Sequence, residues 1–180
     1  MKTLVILSHP SLEKSVINKS WAQELKNHPD QFTVRHLETI YPNSVIDVAA
    51  EQALVEQHGK LVLQFPLYWF NCPPMMKKWL DEVLTYGWAY GSQGKKLQNR
   101  KVALAVSAGV DANDYSPTGR YHYTLTEILR PFELSFSYCH ADYRSFFAFY
   151  GTERAEDEGT EYLPRVAQNA KDYVTFIKNM

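Results

Sequence analysis

Cysteine is nearly absent from this chain: two in 180 residues, Cys72 and Cys139, far apart in sequence. That excludes a disulfide framework and zinc-type spacing, so no metal site is expected and a reducing, cytoplasmic location fits. Charge of one sign is missing as well. The 19 Lys and Arg residues face 20 Asp and Glu, for a formal net charge of -1. With no basic surplus to neutralise phosphates, nucleic acid is not an expected partner. Long apolar runs are lacking too. Met1-Lys2-Thr3-Leu4-Val5-Ile6-Leu7 gives way at once to Ser8-His9-Pro10, which is too short for a signal peptide or a membrane span and reads as a first strand. There is no G-x-G-x-x-G or Walker pattern, no H-E-x-x-H pair and no nucleophile elbow, so those nucleotide-binding modes and hydrolase chemistry have little support.

Hydrophobic residues make up 45% of the chain and aromatic residues 14%, the latter from nine Phe, twelve Tyr and four Trp. A chain of this length is expected to form one domain over residues 1–180 and to bury roughly 70% of its unfolded surface. Short β runs alternate with helical segments. The expected strands are Leu4–Leu7, an edge-like Phe32–Leu37, Leu61–Phe65 ended by Pro66, Val102–Val106, and Phe146–Phe149. The expected helices are Ser15–Lys26, Asp47–Gln57, Met75–Leu84 behind Pro73-Pro74, Tyr123–Leu129, and Tyr162–Asn179. Gly151 to Thr160 reads as an acidic surface loop. Five β-α repeats imply an α/β fold, a doubly wound five-stranded parallel sheet in the order 2-1-3-4-5 with helices on both faces.

In such a sheet ligands bind beyond the carboxyl ends of the strands, at the switch point. Three segments arrive there. After strand 1, His9, Ser15 and Asn18 surround a helix start whose free N–H groups make an anion site suited to a mononucleotide phosphate. The same residues also suit a plain capped helix. After strand 3, Pro66-Leu67-Tyr68-Trp69-Phe70 delivers bulky residues as a flat heteroaromatic ring would require, or as a buried plug at a subunit contact would. After strand 4, Ser107-Ala108-Gly109 allows close backbone approach, and Tyr115, Tyr121 and His122 offer groups that can polarise a carbonyl; a surface loop is the alternative. Trp79 and Leu80 are expected in the core, Lys77 and Lys78 in solvent, and Cys72 accessible but inert.

With these segments in view, the chain resembles the NAD(P)H:quinone oxidoreductase family of flavodoxin-like proteins. The resemblance runs from Leu4 to the last helix and is most specific in Phe65-Pro66-Leu67-Tyr68-Trp69-Phe70, continued by Pro73-Pro74, Lys77, Trp79, Asp81 and Gly87-Trp88-Ala89-Tyr90-Gly91. It is closest in type to a short bacterial branch that includes the ancillary oxidoreductases of glutathione-gated potassium-efflux systems, which His9-Pro10, Ser15 and Asn18 also match. The resemblance implies a flavoenzyme, usually a homodimer, passing hydride from NAD(P)H through the flavin to a quinone-like acceptor in ping-pong fashion. FMN is expected, with FAD the alternative, because the chain lacks the long C-terminal extension of larger members. His9, Ser15, Val16, Ile17 and Asn18 would hold the phosphate side. Pro66, Leu67, Tyr68, Trp69 and Phe70 would line the ring. Ser107, Ala108, Gly109 and Tyr115 would meet its polar edge, and Tyr115 with Tyr121 or His122 would carry catalysis. Two departures stand out: Ser107-Ala108-Gly109-Val110 replaces the usual Thr-Thr-Gly-Gly, and Tyr121 stands where a His often follows the tyrosine. The resemblance also implies a rival reading, a flavin- or nucleotide-sensing subunit docked on a membrane potassium-efflux transporter. A simple electron-shuttle flavodoxin is disfavoured, since such a shuttle is expected to be acidic.

Overall fold

The computed structural model describes residues 1–154 and 159–180. Five parallel strands, β1 (Thr3–Leu7), β2 (Phe32–His36), β3 (Lys60–Pro66), β4 (Lys101–Ser107) and β5 (Asp142–Phe149), form one sheet in the order β2-β1-β3-β4-β5. Seven α-helices accompany them among the described residues: α1 (Ile17–Lys26), α2 (Leu37–Ile40), α3 (Val48–Glu56), α4 (Pro74–Val83), α5 (Leu125–Ile128), α6 (Arg130–Tyr138) and α7 (Tyr162–Asn179). The doubly wound topology expected from the β-α alternation is the one observed.

The reason lies in the strand sequences. Side chains alternate between sheet faces, so a strand covered on both sides is apolar throughout. Leu4 and Ile6, Leu61, Leu63 and Phe65, and Val102, Leu104 and Val106 point into one core with Trp79, Met76 and Phe136. Val5, Val62, Ala103 and Ala105 point into the other, where Trp21 of α1 packs against Tyr173 of α7. The small alanines of β4 leave room for those rings. Lys77 and Lys78 pair with Asp81 and Glu82 on the solvent side of α4, while Trp79 is fully buried, as its position predicts.

Several boundaries differ from the sequence reading, each for a local reason. A helix was expected only to Leu129, but Pro131 sits in the first turn of a further helix, α6, where its missing N–H costs nothing. Strand β5 begins four residues before Phe146. It is an edge strand whose Asp142 and Arg144 pair with each other and disguise it, and its register slips against β4 between Val102 and Ala103. β2 stops at His36 and turns straight into the one-turn α2. Of the loop Gly151–Thr160, residues 155–158 lie outside the described part. Its first residues are not a plain surface loop, since Gly151 is buried and Thr152–Arg154 forms a 3-10 turn against β4.

Candidate functional site

All the candidate residues stand at the carboxyl edge of the sheet, where β1, β3, β4 and β5 end side by side. Backbone bonds stitch the loops beyond them. Leu67 N–H donates to Ser107 O (2.8 Å), Ala108 N–H to Phe149 O (2.8 Å), and Glu153 N–H to Gly109 O (3.1 Å).

After β1 the chain makes one 3-10 turn, Leu12–Lys14, and enters α1. Ser15 is extended (φ -81°, ψ 124°) and its hydroxyl accepts the Asn18 N–H at 3.1 Å, so Ser15 is the working cap although hydrogen-bonded helix begins at Ile17. The amides of Val16 and Ile17 then open the helix with no intrahelical acceptor. They face a cleft of about 320 Å³ together with His9, Ser11, Lys14 and Ser15. Pro66, Tyr68 and Ser107 close its far side, with Thr152 and Tyr162 at the rim. Ser11 N–H donates to His9 Nδ1 at 3.1 Å, and burial lowers the basicity of His9. The neutral ring therefore carries its proton on Nε2 as a donor. Helix dipole, Lys14 and His9 together suit an anion.

After β3 the backbone reverses within two residues. Tyr68 and Asn71 exchange hydrogen bonds of 2.8 and 2.9 Å across Trp69 and Phe70, whose φ angles are 50° and 60°. This is a turn of the I′ kind, normally built from Asn and Gly. Two bulky aromatic residues in left-handed backbone cost about 1–2 kcal/mol each, strain of the sort that gathers at ligand sites. The turn lifts Trp69 almost wholly into solvent, 94% exposed.

Beside it a second cleft of about 250 Å³ is lined by Leu67, Trp69, Phe70, Gly109, Val110, Tyr115, Tyr121 and Glu153. It shares with the first the loops after β3, β4 and β5, residue by adjacent residue, and takes nothing from the loop after β1. Its aromatic wall is continuous: Phe70 and Tyr121 centroids lie 4.9 Å apart and Tyr121 and Tyr115 5.3 Å, with Tyr150 behind Tyr115 at 5.9 Å. Burial, with Tyr121, Tyr150 and Glu153 nearby, pushes the Tyr115 phenol up to about 12. The Glu153 carboxylate lies over Gly109, in the space a Cβ would fill, so a side chain here would have to displace that flexible carboxylate.

The structure thus brings together His9, Ser15, Val16, Ile17, Pro66, Tyr68 and Ser107 at one end, and Leu67, Trp69, Phe70, Gly109, Tyr115 and Tyr121 at the other. It does not bring three others. The Asn18 side chain is fully buried, its amide donating to Ser107 Oγ (2.9 Å) and its oxygen accepting from Gln64. Ala108 is fully buried in the core. His122, with φ 57°, is exposed beside Pro117 O and lines neither cleft. Cys72, expected to be accessible, is buried, and that burial raises its thiol to about 11. Lys14, Thr152, Glu153 and Tyr162 line the site although the sequence reading assigned them no role. The last three follow β5, and the signal for them was that β5 must end at the same edge. A wider groove of about 490 Å³, between residues 111–113 and α7, contains none of the predicted residues.

The chain is 48% identical over 174 residues to General stress protein 14 of Bacillus subtilis, covering 97% of each. It is 42% identical over 174 residues to the uncharacterized NAD(P)H oxidoreductase YrkL of the same organism, covering 97% of this chain and 98% of the relative. It is 35% identical over 153 residues to the glutathione-regulated potassium-efflux system ancillary protein KefG of Cronobacter sakazakii, covering 85% and 83%. Among solved structures, General stress protein 14 of Treponema denticola in complex with FMN matches with TM-score 0.91 at 51% identity over 99% of both chains. An NADPH-quinone reductase from P. pentosaceus matches with TM-score 0.82 at 26% identity over 96% and 97%. The family described by its flavodoxin-like fold matches residues 1–174, and with the sheet order and the edge cleft already in hand the chain belongs to that family.

Proposed function

We propose that the protein is an FMN-dependent NAD(P)H oxidoreductase, one domain over residues 1–180, that reduces a quinone or similar flat acceptor in ping-pong order. The observation that carries this is the pair of adjoining clefts, one offering anion donors and the other an aromatic wall with polar groups. A flat ring with a phosphate tail needs both. The residues fit FMN. Val16 and Ile17 amides, Ser15, Lys14 and His9 Nε2–H would hold its phosphate; Pro66, Leu67, Tyr68, Trp69, Phe70, Ser107 and Gly109 would bound the ring. The FMN complex of the Treponema protein, at 51% identity, and the oxidoreductase name of YrkL support the same reading.

When bound, FMN supplies two-electron transfer between NAD(P)H and the acceptor. The chain supplies position and polarity. Trp69 and Phe70 stand ready to stack a flat substrate, and one slot serving donor and acceptor in turn accounts for the ping-pong order. Tyr115, protonated throughout the physiological range, keeps an O–H to donate to developing negative charge. Tyr121, rather than His122, is the second such group, because only Tyr121 lines the slot.

We place the protein in the cytoplasm, where Cys72 and Cys139 stay as buried thiols. We propose a homodimer that leaves the Trp69–Phe70 slot open and covers exposed aromatic surface elsewhere, such as Tyr138. The test is the visible spectrum of purified protein and its bleaching by NAD(P)H under nitrogen, with recovery on adding a quinone. A colourless protein that binds no added FMN refutes the reading. The match to KefG favours a second role, docking on a membrane transporter; copurification with a transporter alongside negligible NAD(P)H turnover would put that role first.

A further inference from the structure

We propose that His36 and Glu38 are positioning residues for the phosphate end of the cleft, holding the His9 loop in the shape that takes a phosphate monoester. The inference rests on the flavin reading above and extends it to residues that touch neither cleft.

The loop between β1 and α1 has little of its own to hold it. Ser8 N–H donates to Gln64 O at 3.0 Å, and beyond that the loop has only the Ser11 N–H bond to His9 Nδ1 and the short turn over Leu12–Lys14 before the helix. The turn from β2 into α2 supplies what is missing. His36 Nε2 lies 3.2 Å from the His9 carbonyl oxygen, and since a carbonyl can only accept, Nε2 is the donor. Thr39 Oγ1, 2.7 Å from His36 Nδ1, fixes the other side of that ring. Glu38 holds the neighbouring residue: its Oε1 accepts the Ser8 hydroxyl at 2.6 Å, and Ser8 is fully buried. Glu38 Oε2 stands 3.3 Å from His36 Nε2, so the carboxylate also steadies the imidazole that grips His9. Two consecutive residues of the loop are thus clamped by two side chains from the adjacent strand end, one on a hydroxyl and one on a carbonyl.

The consequence is local. His9 is the one imidazole among the described residues lining either cleft, and its Nε2–H can meet an anion only while its backbone stays where it is. None of the residues lining the aromatic slot hydrogen-bonds or pairs with His36 or Glu38. Loss of the clamp should therefore weaken recognition of a phosphate and leave recognition of the ring alone.

FMN and riboflavin differ by that phosphate. Flavin-fluorescence titrations of the full, flavin-free chain at pH 7 would give both dissociation constants. The wild type is expected to prefer FMN. His36→Ala is expected to reduce the FMN-to-riboflavin preference by about fivefold to tenfold, the size of one ordinary hydrogen bond, with riboflavin affinity changed less than about twofold. His36→Gln keeps a side-chain N–H at similar reach and is expected to restore most of the preference. Ser8→Ala, a smaller change that serves if His36→Ala fails to fold, is expected to lower the preference about twofold. An FMN preference that survives His36→Ala and Ser8→Ala unchanged, or a parallel loss of both flavins, overturns the inference while leaving the cofactor reading intact. A wild type that binds neither flavin overturns both.

Discussion

Replacing Asn18 by leucine tests whether that side chain is an internal tie or a ligand contact. In the structure its amide donates to Ser107 Oγ at 2.9 Å, and its oxygen accepts a weaker bond from Gln64 Nε2 at 3.4 Å. Gln64 Nε2 keeps a second acceptor, the Asn18 backbone oxygen at 3.0 Å, so the main casualty of Asn18→Leu is the nearly buried Ser107 hydroxyl. Leaving one buried polar group unsatisfied costs roughly 1–3 kcal/mol. Gln64 Oε1 is already buried without a hydrogen-bond partner, so the pocket has no spare polar group to compensate. The expected loss is about 2 kcal/mol, which for a chain of this size lowers Tm by roughly 4–8 °C. Urea unfolding of flavin-free protein, followed by circular dichroism, measures it. A double-mutant cycle with Ser107→Ala should return a coupling of about 1 kcal/mol. A flavin-free Asn18→Leu protein within about 0.5 kcal/mol of wild type, or one showing no coupling to Ser107, would refute the internal tie.

Trp69→Gly should stabilise the flavin-free protein by about 1 kcal/mol, because glycine adopts φ near 50° without strain and Trp69 buries almost nothing within the chain. The same variant should bind FMN more weakly; a fall in stability by urea unfolding would refute the strain argument. Tyr115→Phe should lower quinone reduction roughly a hundredfold. Because the phenol is pushed up to about 12, the wild-type pH–rate profile should show no Tyr115 ionisation between about pH 6 and pH 9, and a variant with full turnover removes Tyr115 from the mechanism. Glu51, fully buried, accepts from Tyr41 Oη at 2.6 Å and Trp79 Nε1 at 2.9 Å and pairs with Arg35. Glu51→Leu should cost about 3 kcal/mol by leaving Arg35 without its partner, and a loss below 1 kcal/mol would refute that.

Much of this was readable in the sequence because it depends on short-range pattern. Short, mostly apolar runs at Leu4–Leu7, Leu61–Phe65 (broken by Gln64) and Val102–Val106 read as strands covered on both faces, and their alternation with helices leaves the 2-1-3-4-5 sheet. The strand ends then dictate that Ser15, Trp69 and Gly109 meet at one edge. What the pattern hides is partnership. Nothing in the string reveals that Asn18 spends its amide on Ser107, 89 positions away, or that the Glu153 carboxylate lies over Gly109. Nor does it mark His36, at the end of an edge strand, and Glu38, in the helical turn after it, as the hold on Ser8 and His9. Nor does it show that Tyr121, and not the adjacent His122 in left-handed backbone, lines the aromatic cleft. Pattern determines which elements form because backbone hydrogen bonding and burial repeat along the chain. Which polar atoms finally pair depends on distances between segments remote in sequence, and only the folded arrangement of those segments decides that.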